Sequence, residues 1–269
     1  KNVVLALLVV QLLFGLWHLV GSAALKTLTP EALIGFRAFV STPLLFWMAR
    51  RSGLRLPKGK EWPLLITLGV LIIPGNQLLY ANGLALAGPL NASVLIMLTP
   101  IFTLVGVLLI GQERFSWRKV FGILLAFTGA MGVIGLDQFT TEGAGWGNVL
   151  LVAAAAAYGC YLIVGRAVFP SVGFLPGIAW VFFLGGIASS PWTLPAVLDA
   201  PWSGQPASFY SMITYIVLGA TIGTYALNAY ALSKGPGTLV GIFIAFQPLL
   251  VVALSPFWGE PVKLVTVAW

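Results

Sequence analysis

Few side chains in this sequence are placed where chemistry would be done, and they sit inside apolar runs. The run 3–25 carries Gln11, Gly15, His18 and Ser22 at helical spacing, with Trp17 beside the histidine. Further along, 63–86 carries Asn76, Tyr80 and Gly83, and 147–168 carries Tyr158, Gly159 and Tyr161. Trp180 follows in the next run, then Thr214, Thr221, Tyr225 and Asn228 on one helical stripe, and Gln247 beside Pro248. Polar groups in an apolar helix are costly and turn toward a protein interior or a water-filled cavity. The set Trp17, His18, Asn76, Tyr80, Tyr158, Tyr161, Trp180, Tyr225, Asn228 and Gln247 is therefore expected to line a cavity with aromatic walls and a few hydrogen-bonding groups. Arg37 lies about 10 Å along its helix from Pro30 at 1.5 Å per residue, placed either to meet a substrate carboxylate or to reach toward the interface and cap carbonyls. The same residues also suit inter-helix packing, in which such groups satisfy one another. His18 is the only histidine, and it adds one group that can change charge near neutral pH.

What is missing narrows the chemistry. All seven acidic residues fall at helix ends or in loops, so no carboxylate sits mid-helix to relay a proton. No phosphate-binding Gly-x-x-x-x-Gly-Lys-Ser/Thr run occurs. The single cysteine, Cys160, allows no internal disulfide and no thiolate metal set, and its apolar helix predicts an inert core thiol. No catalytic residue, metal or cofactor is expected. Transport that is facilitative, exchange-like or coupled only through His18 fits this inventory better than enzymology.

The elements holding these residues are dictated by composition. Of 269 residues 59% are hydrophobic and 8% charged, and mean hydropathy is +0.99; a soluble domain carries about 25% charge. The apolar blocks reach the ~20 residues a bilayer core requires of a helix, where barrel strands would alternate over ~10. The spacing predicts helices over 3–25, 30–49, 63–86, 89–110, 120–136, 147–168, 174–194, 209–232 and 236–258. A tenth opens at Pro261 and stops too soon to span. Thr29-Pro30-Glu31 supplies an N-cap, a first-turn proline and a dipole partner. Pro74-Gly75 predicts a kink, and 195–206 reads as an interfacial loop. The segment 1–24 is too long for a secretory leader, and its pattern recurs mid-chain. With the N-terminus inside, eleven Lys and Arg fall on the cytoplasmic side and two outside, which orients the chain. Both termini are then cytoplasmic in the inner membrane. The net charge of +7 reflects that bias rather than nucleic-acid binding. Trp62, Trp117, Trp192 and Trp202 are expected at the interfaces.

The chain also repeats. Residues 14–23 match 158–167 at four positions; Gly88-Pro89 matches Gly235-Pro236; Glu113 matches Glu260; Pro100 matches Pro248 with a one-residue slip. Two units follow, 1–136 and 146–269. An odd number of spans per unit makes the second enter from the opposite side, the inverted-repeat plan of many secondary transporters. Gly219-x-x-x-Gly223 and Gly237-x-x-x-Gly241 permit close crossings, and Pro74, Pro100 and Pro248 supply bends.

Residues 83–113, together with the copy ending at Pro248 and Gly259-Glu260, resemble the EamA family of the drug/metabolite transporter superfamily. The Phe14-Gly15 and Phe36-Arg37 pairs sit where that family often has Trp-Gly and Arg-Phe. Within the family the chain looks most like the YddG-type exporters of aromatic amino acids and related metabolites. The resemblance implies ten helices in two inverted repeats and a central cavity lined by the first, third, fourth, sixth, eighth and ninth. It also implies export of a small molecule; alternating access is what two halves of inverted orientation allow, the lipid bilayer is the other expected partner, and a monomer is the expected state. A channel is the weaker alternative, an intramembrane enzyme weaker still. The sequence departs from the pattern at Phe14, at Trp17-His18, and in lacking a second-repeat counterpart of Arg37.

The orientation is checkable. Single cysteines introduced at Lys58 and Ser116 in a Cys160→Ser background should react with an impermeant thiol reagent from the same side of the membrane. Reaction from opposite sides would break the five-span reading.

Overall fold

The computed structural model describes residues 2–134 and 145–258. The described residues form nine helical segments: α1 (Asn2–Ala24), α2 (Pro30–Arg50), α3 (61–87), α4 (89–109), α5 (Trp117–Ile134), α6 (Gly145–Val172), α7 (Phe174–Asp199), α8 (Ala207–Lys234) and α9 (Gly237–Leu254). Seven continuous helical stretches are long and apolar enough to cross a membrane; one of them, 61–109, is 49 residues long. That is over twice what a bilayer core needs, and it divides at Gly88, whose φ of 78° and ψ of 171° no helix contains. Large apolar side chains stand outside, Leu109 81% and Leu125 75% exposed, as lipid rather than water demands. The chain is a multi-pass membrane protein. The expected tenth helix, and most of the loop expected before α6, lie outside the described residues.

Helix starts and stops follow local chemistry. Thr29 caps α2 by accepting from the Ala32 N–H at 3.2 Å, and Pro30 occupies the first turn, where its missing N–H costs nothing. The basic loop is tied to α3 by Arg55, which donates twice to Glu61 at 2.7 Å. Two sequence expectations are corrected. Residues 195–199 are helical, continuing α7 through Pro191 and Pro195. Pro191 leaves the Ile187 carbonyl without its helical donor, and the Ser190 hydroxyl donates to that oxygen at 2.8 Å. Cys160 is exposed on the outer face of α6, while Tyr158, Gly159 and Tyr161 take the buried face.

Four helices break their regular winding. Residues Ile73–Leu78 of α3 and Leu218–Gly223 of α8 form π-turns. Ile96–Leu98 of α4 and Ile244–Phe246 of α9 tighten into 3-10 turns just before Thr99-Pro100 and Gln247-Pro248. Pro74 accounts for the first: the ring clashes with the carbonyl four residues back and has no N–H to give it, and the π-turn relieves both.

Packing follows a paired scheme. α2 lies along α7; α1 packs on α8 and α9, and α6 packs on α3 and α4. Without a hydrophobic force between helices in lipid, such contacts rest on close van der Waals approach. It is closest where α3 meets α7 backbone to backbone: a Cβ on Gly185 would lie 2.5 Å from the Gly69 carbonyl oxygen. Similarly a Cβ on Gly241 of α9 would lie 3.2 Å from the Pro100 Cα, and one on Gly237 3.1 Å from the Leu162 carbonyl oxygen. Gly219 and Gly223 face Leu13 of α1.

Gly185→Ala should therefore force this crossing apart, costing about 1–3 kcal/mol and lowering the unfolding temperature in detergent. Gly122→Ala, with nothing within 4 Å of the added carbon, should leave it unchanged or slightly higher. Equal behaviour of the two would remove the backbone contact from the account.

Candidate functional site

The irregular turns meet around one cavity. α1 contributes Phe14, Trp17 and His18; α2 contributes Arg37; the π-turn of α3 contributes Asn76 and Gln77, with Tyr80 one turn on; the 3-10 turn of α4 contributes Ile96. From the other side come Tyr158 of α6, Tyr225 of α8 and Gln247 of α9. Each of these side chains is less than a tenth exposed. The walls are aromatic: Phe14 presents its edge to Tyr158 and Tyr225 at centroid distances of 6.5 and 5.9 Å, and Trp17 lies 6.3 Å from Tyr80.

Arg37 is the sole formal charge in the lining. Its Nε donates to Thr221 Oγ1 at 2.8 Å and its Nη2 to the Ala220 carbonyl at 3.2 Å, both within the π-turn of α8. Trp17 covers one face of the guanidinium, with Cζ 4.2 Å above the ring, a cation–π contact. Among the described residues no carboxylate pairs with it; the ion pairs there are Arg55–Glu61 and Lys119–Glu113. A cation buried on neutral dipoles alone is expensive, and the cost is tolerated where a function uses it.

His18 anchors the second polar element. The Tyr80 hydroxyl donates to Nδ1 in a short contact. Nε2 donates to Gln247 Oε1 at 2.8 Å, and Gln247 Nε2 donates to Gln11 Oε1 at 2.8 Å. The sequence of donors and acceptors is complete for a neutral imidazole protonated on Nε2. It strings α3, α1 and α9 together across the middle of the bundle. Asn76 adds a bond from the α3 π-turn to α6, donating to the Ala154 carbonyl at 2.9 Å.

Of the ten aromatic and polar side chains expected to line a cavity, seven do: Trp17, His18, Asn76, Tyr80, Tyr158, Tyr225 and Gln247. Arg37 joins them. Asn228 stands one layer back, its amide donating to the Tyr158 hydroxyl at 2.7 Å. Tyr161 is fully buried behind Tyr158, with rings stacked at 5.7 Å. Trp180 is elsewhere: its indole N–H donates to the Arg55 carbonyl, and its ring packs on Phe46 and Trp62. Helical spacing alone cannot distinguish that depth, near the start of α7 beside the basic loop. Thr214 turns outward, bonding the Tyr210 carbonyl, because the intervening π-turn inserts extra winding that rotates it off the stripe of Tyr225 and Asn228. Phe14, Gln77 and Ile96 were not foreseen. Gln77 was legible as an amide next to Asn76 in a proline-kinked segment; Ile96 carries no sequence signal.

Comparison with known proteins places this architecture. The profile described as the EamA-like transporter family matches twice, at residues 1–135 and 145–268. An uncharacterized transporter of Archaeoglobus fulgidus is 28% identical, over 84% of this chain and 78% of its own length. The uncharacterized transporter YdfC of Bacillus subtilis is 26% identical over 93% and 82%. The uncharacterized inner membrane transporter YhbE of Escherichia coli is 23% identical over 88% and 77%. A solved crystal structure superposes with a TM-score of 0.75 at 19% identity, covering 96% of this chain and 89% of that one, which shows a shared fold.

His18→Leu strands the Tyr80 hydroxyl and the Gln247 carbonyl in a buried site, an expected loss of about 1–3 kcal/mol per orphaned group. In a double-variant cycle, adding Gln247→Leu should cost less than the sum of the single changes. Strict additivity in detergent unfolding would show that the two side chains do not act together.

Proposed function

The chain belongs to the EamA-like transporter family, and from that premise we propose that it is a secondary carrier of small amphipathic metabolites, working by alternating access. The observation that carries this reading is the buried cavity lining built jointly by α1–α4 and by α6, α8 and α9. Two inverted five-helix units, 1–136 and 146–269, are supported by the double family match. They are supported again by the recurrence of the same irregularities in the same order, a π-turn in α3 and α8 and a 3-10 turn before the proline in α4 and α9. The contacts of α1 with α8 and α9 are mirrored by those of α6 with α3 and α4. Two units of inverted orientation can exchange conformations, so that one central site faces each side in turn.

The distribution of Lys and Arg supports an orientation in the inner membrane with both termini inside, and export is the direction suggested by the resemblance to YddG-type exporters. Aromatic walls and an arginine suit a flat or apolar body bearing a carboxylate, the class that includes aromatic and other apolar amino acids as carried by YddG-type exporters. A polyamine finds no carboxylate in the lining. The burial of every lining side chain favours a carrier over an open channel. The described bends at Pro74, Pro100 and Pro248, with the close glycine crossings, are the elements on which the units would rock.

Purified protein in proteoliposomes should take up labelled members of a panel of aromatic and apolar amino acids and carboxylates with saturation. Trp17→Ala or Tyr80→Ala should lower that flux several-fold at unchanged expression. A transmembrane pH gradient should drive accumulation only while His18 is present. Unitary currents, or gradient-driven accumulation surviving His18→Ala, would contradict the mechanism.

A further inference from the structure

The cavity's charge balance narrows the substrate, on the premise that the chain is a carrier. Arg37 brings one permanent positive charge, and none of the lining side chains is acidic. Two of its five N–H groups are used, on Thr221 and Ala220. Because Trp17 covers one face, an approaching oxyanion is directed to the guanidinium edge, the geometry of a two-pronged carboxylate contact. In the same lining Gln77 is only 3% exposed; neither its amide nitrogen nor its oxygen makes a hydrogen bond of ordinary length, and its one polar neighbour is the Tyr225 side chain. A buried amide short of well-formed hydrogen bonds is costly, and this one lies in the cavity wall within a π-turn. Cavity and amide together describe half of a binding site: a cation and a donor with nothing opposite.

The same inventory treats an ammonium group poorly. It would enter a buried site already holding a cation. The oxygens there are neutral, and the Gln247 oxygen is already engaged by His18. Like charges in one low-dielectric space repel strongly, and a buried charge without a counter-charge is a net cost. A zwitterion would leave the loaded site with an unbalanced positive charge; a monoanion would neutralise it.

We propose that the cavity binds a flat organic monocarboxylate without an ammonium group, its carboxylate on Arg37 and Gln77 and its ring among Phe14, Tyr158 and Tyr225. Amino acids of the same shape are then the poorer cargo.

Three matched solutes test this: 3-phenylpropanoate, phenylalanine, which adds the ammonium, and phenethylamine, which lacks the carboxylate. Counterflow into proteoliposomes of the full chain at mildly alkaline pH is compared, with protein-free vesicles subtracted for leakage of the acid. The expected order is 3-phenylpropanoate above phenylalanine by about tenfold or more in rate at low concentration, with phenethylamine at background. Gln77→Leu should reduce 3-phenylpropanoate counterflow several-fold and narrow its advantage over phenylalanine. Arg37→Lys should weaken it while preserving the preference for the anion. Phenylalanine moving as fast as or faster than the acid would overturn the proposal and leave the carrier reading standing. Failure of all three to move would overturn both. Because the wild-type comparison needs no substitution, a variant that fails to fold does not blunt the test.

Discussion

A guanidinium held inside a membrane protein without a carboxylate is the constraint around which the rest is arranged. Water would solvate Arg37 for little; the bundle must replace that solvation with fixed dipoles. It does so with a threonine hydroxyl and a carbonyl in the π-turn of α8, and with the face of Trp17 from α1. Three helices are thereby bound to one charge. Around it other polar groups satisfy each other in a chain from Tyr80 through His18 and Gln247 to Gln11, while the Gln77 amide in the wall makes no hydrogen bond of ordinary length.

The breaks in the helices make this possible. A regular helix keeps its carbonyls for itself, whereas π-turns and 3-10 turns re-aim side chains and present backbone oxygen to partners. They are placed where the helices pass the cavity, so Asn76, Gln77 and Ile96 on one side and Gln247 on the other reach it. Away from the cavity, glycine crossings such as Gly69 on Gly185 bring backbones into direct contact. The bundle is thus tight where α3 and α7 cross and irregular where a solute would sit.

Much of this was legible beforehand, for physical reasons. Bilayer thickness forces long apolar runs, so the spans were readable, and Thr29-Pro30 and Gly88-Pro89 marked helix starts through their backbone preferences. Polar side chains in such runs are rare enough that most of those in the cavity were found. The misses share a cause: periodicity says which face a residue shares, not the depth or winding around it. Trp180 was assigned by type and proved to belong to the basic loop; Thr214 was assigned by spacing and was rotated away by a π-turn with no proline to announce it. Pro195 was read as ending α7, and the helix runs on through it to Asp199. Cys160 was placed in the core because its neighbours are apolar, which in lipid does not distinguish inside from outside.

The central claim is that one buried site is reached from one side of the membrane at a time. The bond from Thr238 Oγ1 to the Glu113 carboxylate, 2.8 Å long, joins α9 to the segment after α4 on the face assigned to the cytoplasm. A single cysteine at position 77 in a Cys160→Ser background reports access to the cavity, and a Glu113→Cys, Thr238→Cys cross-link holds that face shut. The account predicts labelling of residue 77 by an impermeant reagent from both sides before cross-linking and from the outer side alone afterwards. Undiminished labelling from the cytoplasmic side in the cross-linked protein, or labelling from one side only in the free protein, would contradict it.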